Sequence, residues 1–232
     1  MDPSPSQFDD PRHPQGGSSV VFDRLVAGIE ERQAWMRFPA GRAIIGRLQG
    51  PPMGSGAEEP VSFLGLICLP TPSLAHLEQA LKAISAPIHT GGALLLAALG
   101  PGTLLAWRRA RGLSPETEPR GLDLHDLGDL LSRTGFAAPV TEAERLVLSY
   151  RQFETAWKDL HGLWPRSSGP GLSGRSSLAR GRAEFEDLRG ADGRVSLEFE
   201  LVFAHGWRGQ ARARAEPQAD QPLTFQPRGR FG

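Results

Sequence analysis

Gly50, Gly54 and Gly56 lie close enough together to line a turn in which backbone N–H groups approach a ligand. Further along, Arg108 and Arg109 set two guanidinium groups side by side, the chemistry that neutralises and aims a carboxylate. Neighbouring arginines also occur as a solvated helix face, and both readings stand. His125 and His205 are candidates for proton exchange near neutral pH, with a structural role as the competing reading. Cys68, the only cysteine, lies in an apolar run. It has no disulfide partner in the chain and no companion metal ligands, so packing as a small hydrophobe is its expected role. No catalytic residue is assigned and no metal site is expected.

The elements that hold these residues follow from periodicity and punctuation. Residues 1–19 are rich in Pro, Ser, Gly and Asp and are expected to form a disordered tail. A helix is predicted from Phe22 to Arg37, with Phe22, Leu25, Val26, Ile29 and Met36 on one face and Pro39 and Gly41 ending it. Ala43 to Leu48 is a short strand candidate, and Gln49 to Pro60 reads as loop. Val61 to Leu69 is continuously apolar, as a strand covered on both faces should be. Ser73 caps a helix running to Ile84; Gly91-Gly92 then turns the chain into a second buried strand, Ala93 to Leu99. Together these make a βαβ unit.

Gly100-Pro101-Gly102 breaks the pattern before a helix from Thr103 to Arg111. Helices are also predicted at Leu124–Thr134, ended by Gly135, at Phe153–Leu163 and at Leu178–Leu188. Strands are expected at Arg145–Tyr150 and, after an Asp192-Gly193 turn, at Val195–Ala204. Ser167 to Ser177 reads as loop, and residues 208–232 as a flexible tail. One domain, residues 20–207, is the result.

Composition bounds the partners. With 232 residues and 39% hydrophobic content, the chain can build one medium-sized core. Lys+Arg and Asp+Glu are 26 each, so no overall field attracts nucleic acid or an anionic membrane, and neither is an expected partner. No apolar stretch reaches the ~18 residues of a membrane span, and a cytoplasmic protein is expected.

Order and spacing of motifs narrow the fold. GPGTLLAWRRA, LDLHDLGDLLSRTGFAAPV, LVLSYRQFETAWKDL and DGRVSLEFELVFAHGW follow one another from Leu94 onward. This run resembles the C-terminal half of the malonyl-acyl-carrier-protein O-methyltransferases of biotin synthesis, within the class I S-adenosylmethionine-dependent methyltransferases. Gly100, Pro101, Thr103, Leu104 and Arg108 match the segment after the family's fifth strand, while Gly102 and Ala106 stand where it usually has acids. His125, Asp126, Gly128, Asp129, Gly135, Phe136, Pro139 and Val140 match the next helix and turn. Tyr150, Leu160, Gly162 and the Gly171–Arg175 loop follow, and Asp192, Gly193, Arg194, Glu200, His205 and Trp207 match the last strand. The similarity covers residues 62–207. It implies an α/β, Rossmann-like, mostly parallel sheet with a C-terminal antiparallel hairpin.

The same resemblance implies a cofactor site that the residues supply only in part. The family places an acid at the end of its first strand, then closely spaced glycines, then a second acid for the ribose roughly 20 residues on. Gly50, Gly54 and Gly56 are the candidate glycines, but no acid lies between Ala40 and Gly56, and Pro51-Pro52 interrupts the stretch. Glu58 and Glu59 fall in the loop, and Glu78 falls inside a helix, where a solvated face is the plain reading. Ala57 to Pro60 occupy the place of two strands and their helices, so the sheet is expected to be shortened on its N-terminal side. Arg108 and Arg109 would hold the substrate's malonyl carboxylate. The expectation is a degenerate relative with an impaired S-adenosylmethionine site, acting as scaffold or regulator of an acyl carrier protein or a complete methyltransferase. The alternative is an active S-adenosylmethionine-dependent enzyme that esterifies malonyl-acyl-carrier-protein.

Overall fold

The apolar run at residue 61 becomes β2 (Val61–Ile67), and every one of its residues is buried, as a strand with helices on both faces requires. A computed structural model describes residues 20–48, 61–69, 72–85, 88–110, 121–161, 163 and 175–209. Along the chain these form α1 (Val20–Trp35), β1 (Arg42–Arg47), β2, α2 (Leu74–Ile84), β3 (Ile88–Leu99) and α3 (Leu105–Ala110). Then come α4 (Leu124–Arg133), β4 (Phe136–Tyr150), α5 (Phe153–His161), α6 (Arg175–Asp187) and β5 (Val195–Arg208). The expected tails at 1–19 and beyond 209 lie outside the described residues, as do the loop at 49–60 and most of the loop before α6.

The described strands form one sheet in the order β1-β2-β3-β5-β4. β1, β2 and β3 are parallel, β5 runs antiparallel to β3, and β4 runs antiparallel to β5. Four strands therefore point one way and β5 alone opposes them, which is the mostly parallel α/β sheet that the motifs implied, its C-terminal antiparallel pair being joined through α5 and α6. Alternate residues feed two cores. Phe63, Ile67, Leu95, Ala97, Leu201 and Phe203 face α1, α5 and α6. Leu64, Leu66, Leu94, Leu96, Val202 and Ala204 meet α2 and α4 on the other side. The result is a three-layer sandwich.

Helix starts follow local chemistry. The Ser73 side chain accepts from the His76 amide and caps α2, and Asp123 does the same for α4 through the His125 amide. Leu77, Leu81 and Ile84 on α2 and Leu127, Leu130 and Leu131 on α4 then recur at helical spacing on buried faces.

Four boundaries differ from expectation by three residues or more. Gly91-Gly92 does not precede β3 but lies inside it: the strand starts at Ile88, and Gly91 at φ +81° belongs to a register shift against β2. β4 starts at Phe136, not Arg145, because Pro139 sits where the pairing with β5 shifts, on an edge strand that tolerates the missing N–H. Its exposed first half carries too little apolar alternation to be read as strand. β5 continues past Ala204 to Arg208, pairing with that same half of β4, so residue 208 closes the strand rather than opening a tail. α6 begins at Arg175 instead of Leu178, its two serines being compatible with a first turn.

Candidate functional site

In open α/β sheets ligands meet the crevice outside the carboxyl ends of the strands, so Leu48, Cys68 and Gly100 mark the place to look. β1 ends against β2, where the Leu48 amide donates to the Ile67 carbonyl at 3.0 Å. Arg47 reaches across to donate to the Leu69 carbonyl at 3.2 Å, with its guanidinium 5.2 Å from the Phe22 ring centre. Cys68 is fully buried beside them, its amide on the Ala97 carbonyl at 2.8 Å. Burial pushes its thiol up to about 12, and the side chain packs within the core between the sheet and α2 and α4. The three candidate glycines, Gly50, Gly54 and Gly56, lie in the segment joining β1 to β2 and outside the described residues.

At the end of β3 the chain makes the Gly100–Leu104 turn, and Glu200 of β5 braces it. The Gly102 amide donates to Glu200 Oε2 at 2.6 Å, and the Gly100 amide to the Glu200 carbonyl at 2.8 Å. Thr103 Oγ1 lies 3.2 Å from both the Glu200 carbonyl and its amide. A Cβ on Gly100 would stand 2.4 Å from the Glu200 carboxylate, so glycine is needed for this approach. Across the turn, a Cβ on Gly121 would come within 2.1 Å of the Gly100 carbonyl carbon. The described amides of this turn are thus spent inside the protein, not offered to a ligand. The sequence singled out the turn but not Glu200 as its brace; the small residues at 100 and 102 opposite a retained acid were the available signal.

Arg108 lies on α3, at the carboxyl side of β3, and donates to the Pro101 carbonyl at 3.3 Å. As a residue it is half-buried. Arg109 follows on the same helix. Glu78 is on α2 and pairs with Lys82 at 2.7 Å and Arg133 at 3.7 Å, which hold its carboxyl below the usual range. The solvated-helix reading of Glu78 is the one realised.

The two histidines are not brought together. His125 is exposed on the first turn of α4. His205 is buried on the opposite face of the sheet, against Trp35 of α1. It lies four residues along β5 from Leu201, the partner of Leu99 at the end of β3, or about 13 Å from the carboxyl edge. Burial lowers its pKa, with Glu142 opposing and Arg32 reinforcing that shift. Among the described residues no group of three or more His, Cys, Asp or Glu could hold a metal ion. Nor is any described helix long and apolar enough to cross a membrane.

No protein-family profile matches the chain. Curated relatives do. The malonyl-acyl-carrier-protein O-methyltransferase of Laribacter hongkongensis is 36% identical over 192 residues, covering 79% of this chain and 61% of the relative. That of Methylovorus sp. is 34% identical over 158 residues, covering 66% and 53%. The Legionella pneumophila enzyme is 27% identical over 205 residues, covering 83% and 69%. The chain spans 61% and 53% of the length of the first two. Among solved structures, the YcgJ protein of Bacillus subtilis aligns with a TM-score of 0.41 at 10% identity, covering 83% of this chain and 80% of its own.

Proposed function

From a chain related by sequence to the malonyl-acyl-carrier-protein O-methyltransferases, we propose a methyltransferase-like protein that has kept the acceptor half of its ancestor and lost most of the cofactor half. It acts as a scaffold or regulatory partner of an acyl carrier protein or of a complete methyltransferase. One observation carries this reading. β1 lies directly beside β2 and is one of the two outermost described strands, while the glycines that follow it have no acid between Ala40 and Gly56 to meet a cationic cofactor. The arrangement at the end of β3 points the same way, because the described amides of its turn are committed to Glu200 and its neighbours.

Calorimetric titration of the purified chain with S-adenosylmethionine, then S-adenosylhomocysteine, tests it. The expected result is no heat from a sample shown by circular dichroism to be folded. Micromolar binding at one site per chain would overturn it and place Gly50, Gly54 and Gly56 in a working cofactor loop.

The activity for which the relatives are named, together with Arg108 at the carboxyl side of β3, favours a second reading: an active enzyme that methylates the malonyl carboxylate. In it S-adenosylmethionine supplies the methyl group. The carboxylate oxygen is the nucleophile and has no proton to lose, so the protein's task is to hold and aim the anion. Arg108 and Arg109 would do so. Transfer of labelled methyl to malonyl-acyl-carrier-protein, lost in Arg108→Ala with folding intact, would establish this reading.

A further inference from the structure

His205 is 2% exposed, yet its surroundings are not hydrocarbon alone. The Trp35 ring meets it edge-on at 5.6 Å between centroids, and Trp207 does so at 5.2 Å. Trp207 is pinned, its Nε1 donating to the Arg37 carbonyl at 3.0 Å. Trp35, the last residue of α1, is 56% exposed, so the indole that touches the imidazole is itself in contact with water.

Charged groups face the same point from two other directions. Arg32 of α1 lies over the Phe203 ring at 3.8 Å and donates to the Gly28 carbonyl at 3.0 Å. It also bridges Glu142 and Glu144 of β4 at 2.8 and 2.7 Å. β3 presents Leu95 and β4 presents Val140 in register with His205, and neither titrates. A neutral imidazole suits this site. An imidazolium would be repelled by Arg32, would draw on the Glu142 carboxylate that Arg32 already uses, and would need water. The way to admit water with least disruption is to move Trp35.

We propose that His205 is a proton-operated latch: one proton taken up on its ring releases the Trp35 indole from it, while Arg32 stays on Glu142 and Glu144. The step is a proton transfer from solvent to the imidazole, with no other bond made or broken.

The pH window follows from burial. The folded-state pKa is depressed, so the latch contributes its full stability above the ordinary histidine value of about 6.5. That contribution is lost as pH falls through the folded value. Above neutrality the latch is shut.

Tryptophan emission of the full chain between pH 8 and 5 tests this, alongside an NMR titration of the His205 ring. The expected result is a red shift with a midpoint below 6.5, matching the ring titration and absent in His205→Phe. Trp35→Phe, at a position already exposed, keeps the ring titration and loses most of the emission change. A flat emission profile in the wild type, or an undiminished transition in either variant, overturns the proposal.

Discussion

β4 and β1 are the two outermost described strands of the sheet, but they are secured by different means. β4 runs for 15 residues against β5, and β1 for 6 against β2. The antiparallel pair adds cross-strand charge, with Arg145 and Glu198 2.6 Å apart, and Arg194 donating to Ser149 Oγ at 2.7 Å. α1 then ties itself to the same edge through Arg24 and Arg32 on Glu142 and Glu144. β1 has two isoleucines, Ile44 and Ile45, that are only partly buried, and it depends on β2 for its place. The half of the sheet that carries the family-like motifs is therefore self-supporting, and the half expected to face the cofactor leans on it.

The widest gap should appear in chemical access. Cys68 directly follows β2 with its thiol buried and pushed up to about 12, so disulfide-reagent labelling at pH 8 should require opening of the parallel half. An opening cost of about 4 kcal/mol would slow labelling roughly a thousandfold relative to the unfolded chain. Labelling that tracks β1 amide exchange, and is faster than β5 exchange, would sharpen the comparison; equal rates would erase it. Denaturant unfolding offers the next contrast. Phe203→Ala, at a fully buried site on β5, should cost about 3–5 kcal/mol, and Ile45→Ala on β1 less than about 2 kcal/mol.

Arg32→Gln should come third. It removes a 6% exposed guanidinium from two carboxylates that are 40% and 29% exposed. Water can re-solvate both acids, so the expected loss is about 2 kcal/mol, below that of a fully buried pair, and thermal melts at two salt concentrations would read it. Smallest are the caps. Ser73→Ala on α2 and Asp123→Ala on α4 should each cost about 1 kcal/mol in chemical denaturation. A larger loss at Ser73 would mean that α2, between the two parallel strands, is the weaker support.

How legible these regions were in the sequence follows the same divide. β2 announced itself by continuous burial, and α2 and α4 by their caps and leucine spacing, because packing on two faces leaves a strong pattern. The first half of β4 left none: residues 137–140 are exposed and contain Pro139, and only the pairing with β5 makes them strand. Gly91 and Gly92 looked like a turn because local conformation alone cannot distinguish a turn from a bulge. For the site, adjacency in sequence pointed to Arg108, which lies on α3 and donates to the Pro101 carbonyl. Glu200 was missed as a brace because its partner lies 98 residues away, and only the small residues at 100 and 102 hinted at it. His125 and His205 are of one type but on opposite faces, which residue type alone does not encode.

The position of β5 has a consequence for how the chain comes into being. β5 is the last described strand made, yet it fills the slot between β3 and β4. While the ribosome is still adding residues before Val195, β3 has an open flank and β4 has no described neighbour in the sheet. Among the described strands, the flank of β3 and both flanks of β4 therefore stay unpaired until β5 arrives, a window in which a chaperone or a neighbouring polysome product can intervene.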